Sequence, residues 1–165
     1  MRKSELISDS LKLSLTFRCP EEICKASTDF IQKNPLQIQK DVRTTSTVQG
    51  KAIQCYAAKS EKELPIVVEG LLHKIAIKLK TVWDQPRRPT VLLLGRYSSD
   101  RPYNMPQLKR TFGASIDIDF STVHRSKGTE ADYVLVLNVT DGHRGFPSKI
   151  EDDPVLQSAM PLGMV

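Results

Sequence analysis

The sequence predicts an α/β fold, a mostly parallel sheet with helices on both faces. Three observations carry this. Leu11, Leu13, Leu15 and Phe17 alternate with polar residues at the period of a strand, and that strand runs straight into a helix opening at Pro20. Two short runs, VLLLG at 91–95 and YVLVLNV at 133–139, have the length and branching of buried strands. Helical stretches separate the strands, and strand–helix–strand order is what joins parallel neighbours.

The first helix carries Glu21 and Glu22 in its opening turn, where they complement the partial positive charge of a helix start, and Pro20 presets the backbone. Ile23, Ala26, Phe30 and Ile31 supply its apolar stripe, and Asn34-Pro35 ends it. Residues 36–50, polar and closing on Gly50, read as a connecting loop, after which Ile53, Cys55 and Ala57 alternate as a short strand. A second helix runs from Ser60 or Leu64 to Lys80, with Leu64, Val67, Val68, Leu71, Leu72, Ile75 and Leu79 on its buried face. Even if Ser60 and Glu63 form a capping box, Pro65 falls one position too late to be harmless, so the regular turns are expected from Pro65 onward. His73, between Leu72 and Ile75, reads as a partly exposed structural histidine, and Trp83 closes the helix before the turn at 84–89. Residues 96–106 turn repeatedly, a short helix occupies residues around Gln107 to Phe112, and Ile116, Ile118 and Phe120 alternate as the next strand. There is no internal repeat and no low-complexity segment.

At 165 residues and 39% hydrophobic content the chain can bury one core, so a single domain is expected. No apolar run reaches the roughly 18 residues of a membrane-spanning helix, and MRKSELISDS lacks the apolar centre of a secretory signal, so the expectation is a soluble cytoplasmic protein. Cys19, Cys24 and Cys55 lack CxxC spacing and His73, His124 and His143 are scattered singly, so no metal site is expected and the thiols read as free. The net charge of +5 is uneven: residues 51–110 hold twelve Lys/Arg against five Asp/Glu, residues 111–165 four against eight. A basic middle points to a polyanionic partner, although scattered surface lysines would give the same count.

In open parallel sheets ligands bind beyond the carboxyl ends of the strands. Arg18 follows the first strand, Arg96 follows VLLLG, and the charged stretch His124–Glu130 follows IDIDF, so all three are expected on one edge. Taken alone, each is a weak signal. KGTE can be an ordinary turn in which Gly128 supplies a positive φ, and Arg18 can pair with Glu21 or Glu22. Asp152-Asp153 reads as part of a solvated tail, and Tyr97 and Tyr103, beside Arg96 and Arg101, offer only a slight stacking surface.

The combination is more specific than its parts. LSLTFRCPEEICKASTDFIQKNPLQIQK, then VLLLGRY, then IDFSTVHRSKGTEADYVLVLNVTDGHRGFP resemble, in order and spacing, the second RecA-like domain of the UvrD/Rep group of superfamily 1 DNA helicases, from about Leu13 to Gln157. The resemblance implies a lead-in at 1–10, a RecA-like domain at 11–157 and a divergent tail at 158–165. It implies a piece of an ATP-dependent 3′-to-5′ DNA helicase that supplies the second half of the ATP site and part of the single-stranded DNA track. Phe17-Arg18 matches the fourth helicase motif, with the Phe17 ring near the nucleotide base and Arg18 as the catalytic arginine on the γ-phosphate. A planar guanidinium suits that task because it meets phosphate oxygens with two parallel hydrogen bonds and stabilises developing charge. Thr122, His124, Lys127, Gly128 and Glu130 match the fifth motif. By this likeness Glu130 accepts hydrogen bonds from the ATP ribose with Gly128 beside it, Thr122 and His124 touch the DNA backbone, and Lys127 and Arg96 add DNA contacts. Gly142 and Phe146-Pro147 match a GxxxFP-like turn, and Thr129 stands at the variable position of the fifth motif.

The departures shape the expected mechanism. None of the eight glycines falls into a G-x-x-x-x-G-K-[ST] pattern, and the acidic pair that holds Mg²⁺ is also absent. The resemblance assigns both to the first RecA-like domain. The likeness stops before the sixth motif, as a truncation or frameshift would leave it. This chain alone is therefore expected not to hydrolyse ATP appreciably, and its expected partners are single-stranded DNA and the P-loop-containing helicase domain, toward which it would present a bare face. The alternative is a non-catalytic module that binds single-stranded nucleic acid or a partner through its basic middle.

Overall fold

A computed structural model describes residues 15–35, 42–46, 48 and 50–142. The chain divides into two compact units, Met1–Ala57 and Ala58–Val165.

In the first unit, strand β1 (Leu15–Thr16) leads into helix α1 (Glu21–Ile31), and strand β2 (Arg43–Thr44) returns parallel to β1 with Leu15 opposite Arg43 and Thr16 opposite Thr44. The stretch read as plain loop therefore contains a strand too short to show any periodicity. Pro20 does begin the helix: its extended backbone (φ −60°, ψ 160°) places its carbonyl to accept the N–H groups of Ile23 and Cys24. The buried member of α1 is Cys24, and its thiol donates to the Cys19 carbonyl at 3.5 Å. Phe30 and Ile31, expected inside, are exposed. No strand forms over Ile53, Cys55 and Ala57. In place of a ladder, Glu22 Oε2 accepts the N–H groups of Ala52 (2.7 Å) and Ile53 (3.3 Å), tying this extended backbone to the first turn of α1. Leu11 and Leu13 lie outside the described residues.

The second unit holds helix α2 (Leu64–Val82), strand β3 (Thr90–Gly95), helix α3 (Met105–Phe112), strand β4 (Asp117–Thr122) and strand β5 (Tyr133–Val136). The strands form a parallel sheet in the order β4-β3-β5. A 3₁₀ turn at Glu61–Glu63 precedes α2, whose first turn contains Pro65, where a missing N–H costs nothing. Glu63 accepts from the Lys59 N–H at 3.0 Å, and its own N–H donates to the Ser60 carbonyl at 3.1 Å. The α3 start precedes the expected position by two residues because Pro106, too, is tolerated in an opening turn.

The core lies on one face of this sheet. Val68, Leu72 and Leu79 of α2 and Met105, Leu108 and Phe112 of α3 meet Val91 and Leu93 of β3, together with Ile116, Ile118 and Leu137. Exposed His73 stands edge-on to Phe112 with ring centres 4.7 Å apart, in keeping with a structural role. VLLLG is not buried on both faces: Val91 and Leu93 are enclosed, whereas Leu92 and Leu94 are half-buried, and Val134 and Val136 beside them on β5 are exposed. Helices were expected on both faces, but the described helices of this unit cover one.

At the amino ends of the strands a clamp fixes β3 to β5. Arg87 donates two hydrogen bonds of 2.7 Å to the two oxygens of Asp132, a bidentate pair. Asp132 Oδ2 also accepts the Thr90 N–H and hydroxyl, both at 2.8 Å, and the Asp132 N–H donates to Thr90 Oγ1 at 3.0 Å. The Arg87 guanidinium lies 5.1 Å from the centre of the Trp83 ring, and Trp83 Nε1 donates to the Arg87 carbonyl at 2.7 Å. The arginine bond, followed by the two from Thr90, holds the Asp132 carboxyl well below the usual carboxylate range, against the opposing effect of partial burial.

Asp132→Ala leaves the Thr90 N–H without its acceptor and should lower the stability of this unit by about 1–3 kcal/mol. Because the folded-state pKa is depressed, the Asp132 contribution is complete above the unfolded value of about 3.9 and is lost as pH falls toward the folded value. Urea unfolding of the native and Asp132→Ala chains should show a gap that is constant above about pH 5 and closes in acid; a gap that widened in acid would refute this account.

Candidate functional site

Parallel pairing brings the carboxyl ends of three strands side by side, with Gly95 opposite Thr122 and Leu94 opposite Val136. The loops that leave these ends carry most of the sequence-derived site residues. Arg96 follows β3 directly, and residues 123–130 follow β4.

The 123–130 loop is tightly bonded to itself. The Val123 N–H donates to the Gly95 carbonyl at 3.0 Å, prolonging the β3–β4 pairing by one step. Ser126 N–H then donates to Thr122 O and Thr129 N–H to Ser126 O, each at 2.9 Å. The hydroxyls repeat the pattern, Ser126 Oγ to Val123 O at 2.9 Å and Thr129 Oγ1 to Ser126 O at 2.7 Å. Thr129, at the position read as variable, thus closes the turn with its own side chain. Gly128 has φ +85°, and no heavy atom lies within 4 Å of where a Cβ would stand, so glycine is required there by backbone conformation and not by crowding. The consequence is a rigid loop whose His124, Arg125, Lys127 and Glu130 side chains are exposed while Thr122 and Ser126 are half-buried.

The β3 exit is built around Asp100, which the sequence reading passed over. A 3₁₀ turn at Ser98–Asp100 folds back so closely that a Cβ on Gly95 would lie 2.5 Å from the Asp100 Cβ. One Asp100 oxygen accepts the Tyr97 N–H at 2.7 Å, and the other accepts the Asn138 side-chain amide at 2.9 Å. Asn138, just past β5, has φ +54°, which asparagine tolerates better than most residues. Arg96 is half-buried; its Nε donates to the Tyr97 hydroxyl at 3.2 Å and its guanidinium carbon lies 5.6 Å from the Tyr97 ring centre. The sequence signal for this arrangement was a glycine ending a strand with an aspartate five residues on.

Arg96 and the His124–Glu130 loop therefore share one edge, as expected. Phe17 and Arg18 follow β1 in the first unit, where the Phe17 ring is exposed and the Arg18 N–H donates to Thr16 Oγ1 at 3.3 Å. A cavity of about 430 Å³ lined by Lys51, Ile53, Gln54, Cys55 and Tyr56 also belongs to the first unit and includes none of the expected site residues. Among the described residues there is no group of three or more His, Cys, Asp or Glu side chains that could hold a metal ion. No helix among the described residues is long and apolar enough to cross a membrane. His143, Phe146-Pro147 and Asp152-Asp153 lie outside the described residues.

Over 149 residues, 90% of its length, the chain is 29% identical to DNA helicase IV of Escherichia coli (strain K12). The likeness supports a helicase-related region. The chain spans 20% of the length of that helicase. No family model matches the chain, and no solved structure does.

Two substitutions separate crowding from backbone strain at this edge. Gly95→Ala should destabilise the second unit by about 1–3 kcal/mol because its methyl meets Asp100. Gly128→Ala, with open space around it, should cost only about 1–2 kcal/mol, the price of a left-handed residue. Thermal unfolding followed by circular dichroism measures both; a Gly95→Ala chain as stable as the native one would contradict the packing described for Gly95.

Proposed function

We propose that this chain is a part of an ATP-dependent 3′-to-5′ DNA helicase, with the fold and role of a second RecA-like domain. The observation that carries the reading is the likeness to DNA helicase IV over 90% of the chain. It is supported by the edge geometry, where Arg96 and the fifth-motif residues Thr122, His124, Lys127, Gly128 and Glu130 leave adjacent parallel strands.

In this reading each side chain has a physical task. His124 and Lys127 stand exposed on a self-bonded loop and meet DNA phosphates, the sequence-independent contacts that dominate affinity and make it salt-sensitive. Glu130 accepts the ribose hydroxyls of ATP, and the open space over Gly128 admits the nucleotide backbone to the turn. Arg18 brings a permanent positive charge to the γ-phosphate, and Phe17 offers its exposed ring to the base. ATP would supply the phosphoryl group for transfer to water and Mg²⁺ would neutralise charge on its phosphates, both held chiefly by a P-loop domain that these 165 residues do not contain. Because one short loop carries both the ribose contact and the DNA contacts, a displacement at one is felt at the other.

The test is ATP hydrolysis with and without single-stranded DNA, by the chain alone and mixed with a separately produced P-loop domain of a helicase IV-like protein. DNA-stimulated turnover is expected only in the mixture, and Arg18→Ala should reduce it by about 10³-fold or more. Stimulated turnover by the chain alone, or turnover in the mixture indifferent to Arg18→Ala, would overturn the assignment of a split site.

A further inference from the structure

We infer that Asp100 is a positioning residue that locks the exits of β3 and β5 together and thereby sets how Arg96 meets a nucleic-acid phosphate. The inference rests on the nucleic-acid reading of this edge and assigns a role to Asp100, which lies between the helicase-like stretches quoted above.

Three independent features converge on this carboxylate. It is packed against Gly95, where any side chain would collide with it. It satisfies the Tyr97 N–H, the first donor after Arg96, at 2.7 Å. It also holds the Asn138 amide at 2.9 Å, and Asn138 is a left-handed residue that turns the chain away after β5. Both oxygens therefore accept from N–H donors. A carboxamide of the same shape cannot do this, because one of its two ends would present a donor to a donor.

The effect on Arg96 follows from the chain path. Arg96 sits between Gly95, fixed in the sheet, and Tyr97, fixed by Asp100, and its guanidinium lies along the Tyr97 ring. With both neighbours held, the arginine loses little further freedom when it engages a phosphate. Releasing Tyr97 would leave the positive charge in place and remove its preset direction. The Asp100–Asn138 bond ties the start of the segment that leaves β5 to the same carboxylate that holds Tyr97.

The experiment measures binding of a fluorescein-labelled oligothymidylate to the full chain by anisotropy, from about 50 to 200 mM salt. Asp100→Asn should weaken binding by about three- to fivefold at the low end even though it removes a negative charge, because the direction of Arg96 is lost. In an Arg96→Ala background the same change should add nothing further. The exchange Asp100→Asn with Asn138→Asp lets position 100 accept from Tyr97 and donate to position 138, and should restore affinity. Lys127→Gln should weaken binding equally with or without Asp100, which controls for general damage to the fold. If Asp100→Asn costs as much in the Arg96→Ala background, or the exchange fails to restore affinity, the positioning role falls while the nucleic-acid reading stands. If the native chain does not bind at low salt, both fall.

Discussion

Everything in the second unit depends on β3. It is hydrogen-bonded to a parallel neighbour on each side, and its Val91 and Leu93 are fully enclosed by α2 and α3. Registers on both sides are fixed by this strand, because a one-residue slip of either neighbour would carry Ile118 or Leu135 off the core face. The same registers decide which residues become neighbours beyond the strand ends. The placement of Arg96 next to the loop that follows Thr122 is thus a by-product of packing and needs no contact between side chains.

The two ends of this sheet have opposite characters. At the amino ends, charge is consumed: Asp132 is bound by Arg87 and Thr90, and its side chain is 20% exposed against 51% for Arg87. At the carboxyl ends, charge is displayed on His124, Arg125, Lys127 and Glu130, while hydroxyls and backbone groups do the bonding that keeps the loop rigid. Charge held in a bidentate pair specifies geometry, whereas exposed charge on a bonded loop stands where a ligand can reach it.

Much of this was legible in the sequence, and the exceptions have physical causes. Helix α2 was readable because its apolar period persists over five turns and Pro65 marks its start. β3 and β5 were readable as dense apolar runs, but the claim that VLLLG is enclosed on both faces failed because composition cannot say which neighbours arrive to cover a face. β2 was invisible because two residues carry no period, and the apparent strand at Ile53–Ala57 had period without a partner to pair with. Within the site, the fifth-motif residues were found through resemblance, since a KGTE turn alone says little. Asp100, Asn138 and the Arg87–Asp132 pair were missed because their partners lie 38 and 45 positions away along the chain, and nothing local announces such bonds.

Trp83 has a use beyond closing α2. It is the sole tryptophan of the chain, half-buried, with its indole N–H on the Arg87 carbonyl and the Arg87 guanidinium over its ring. Its emission therefore reads the clamp at one end of the sheet directly, whereas the tyrosines, which absorb and emit at shorter wavelength, stand at both ends, Tyr133 beside the clamp and Tyr97 at the exit of β3. The molecule thus carries one built-in optical label, and its single colour reports the integrity of the scaffold.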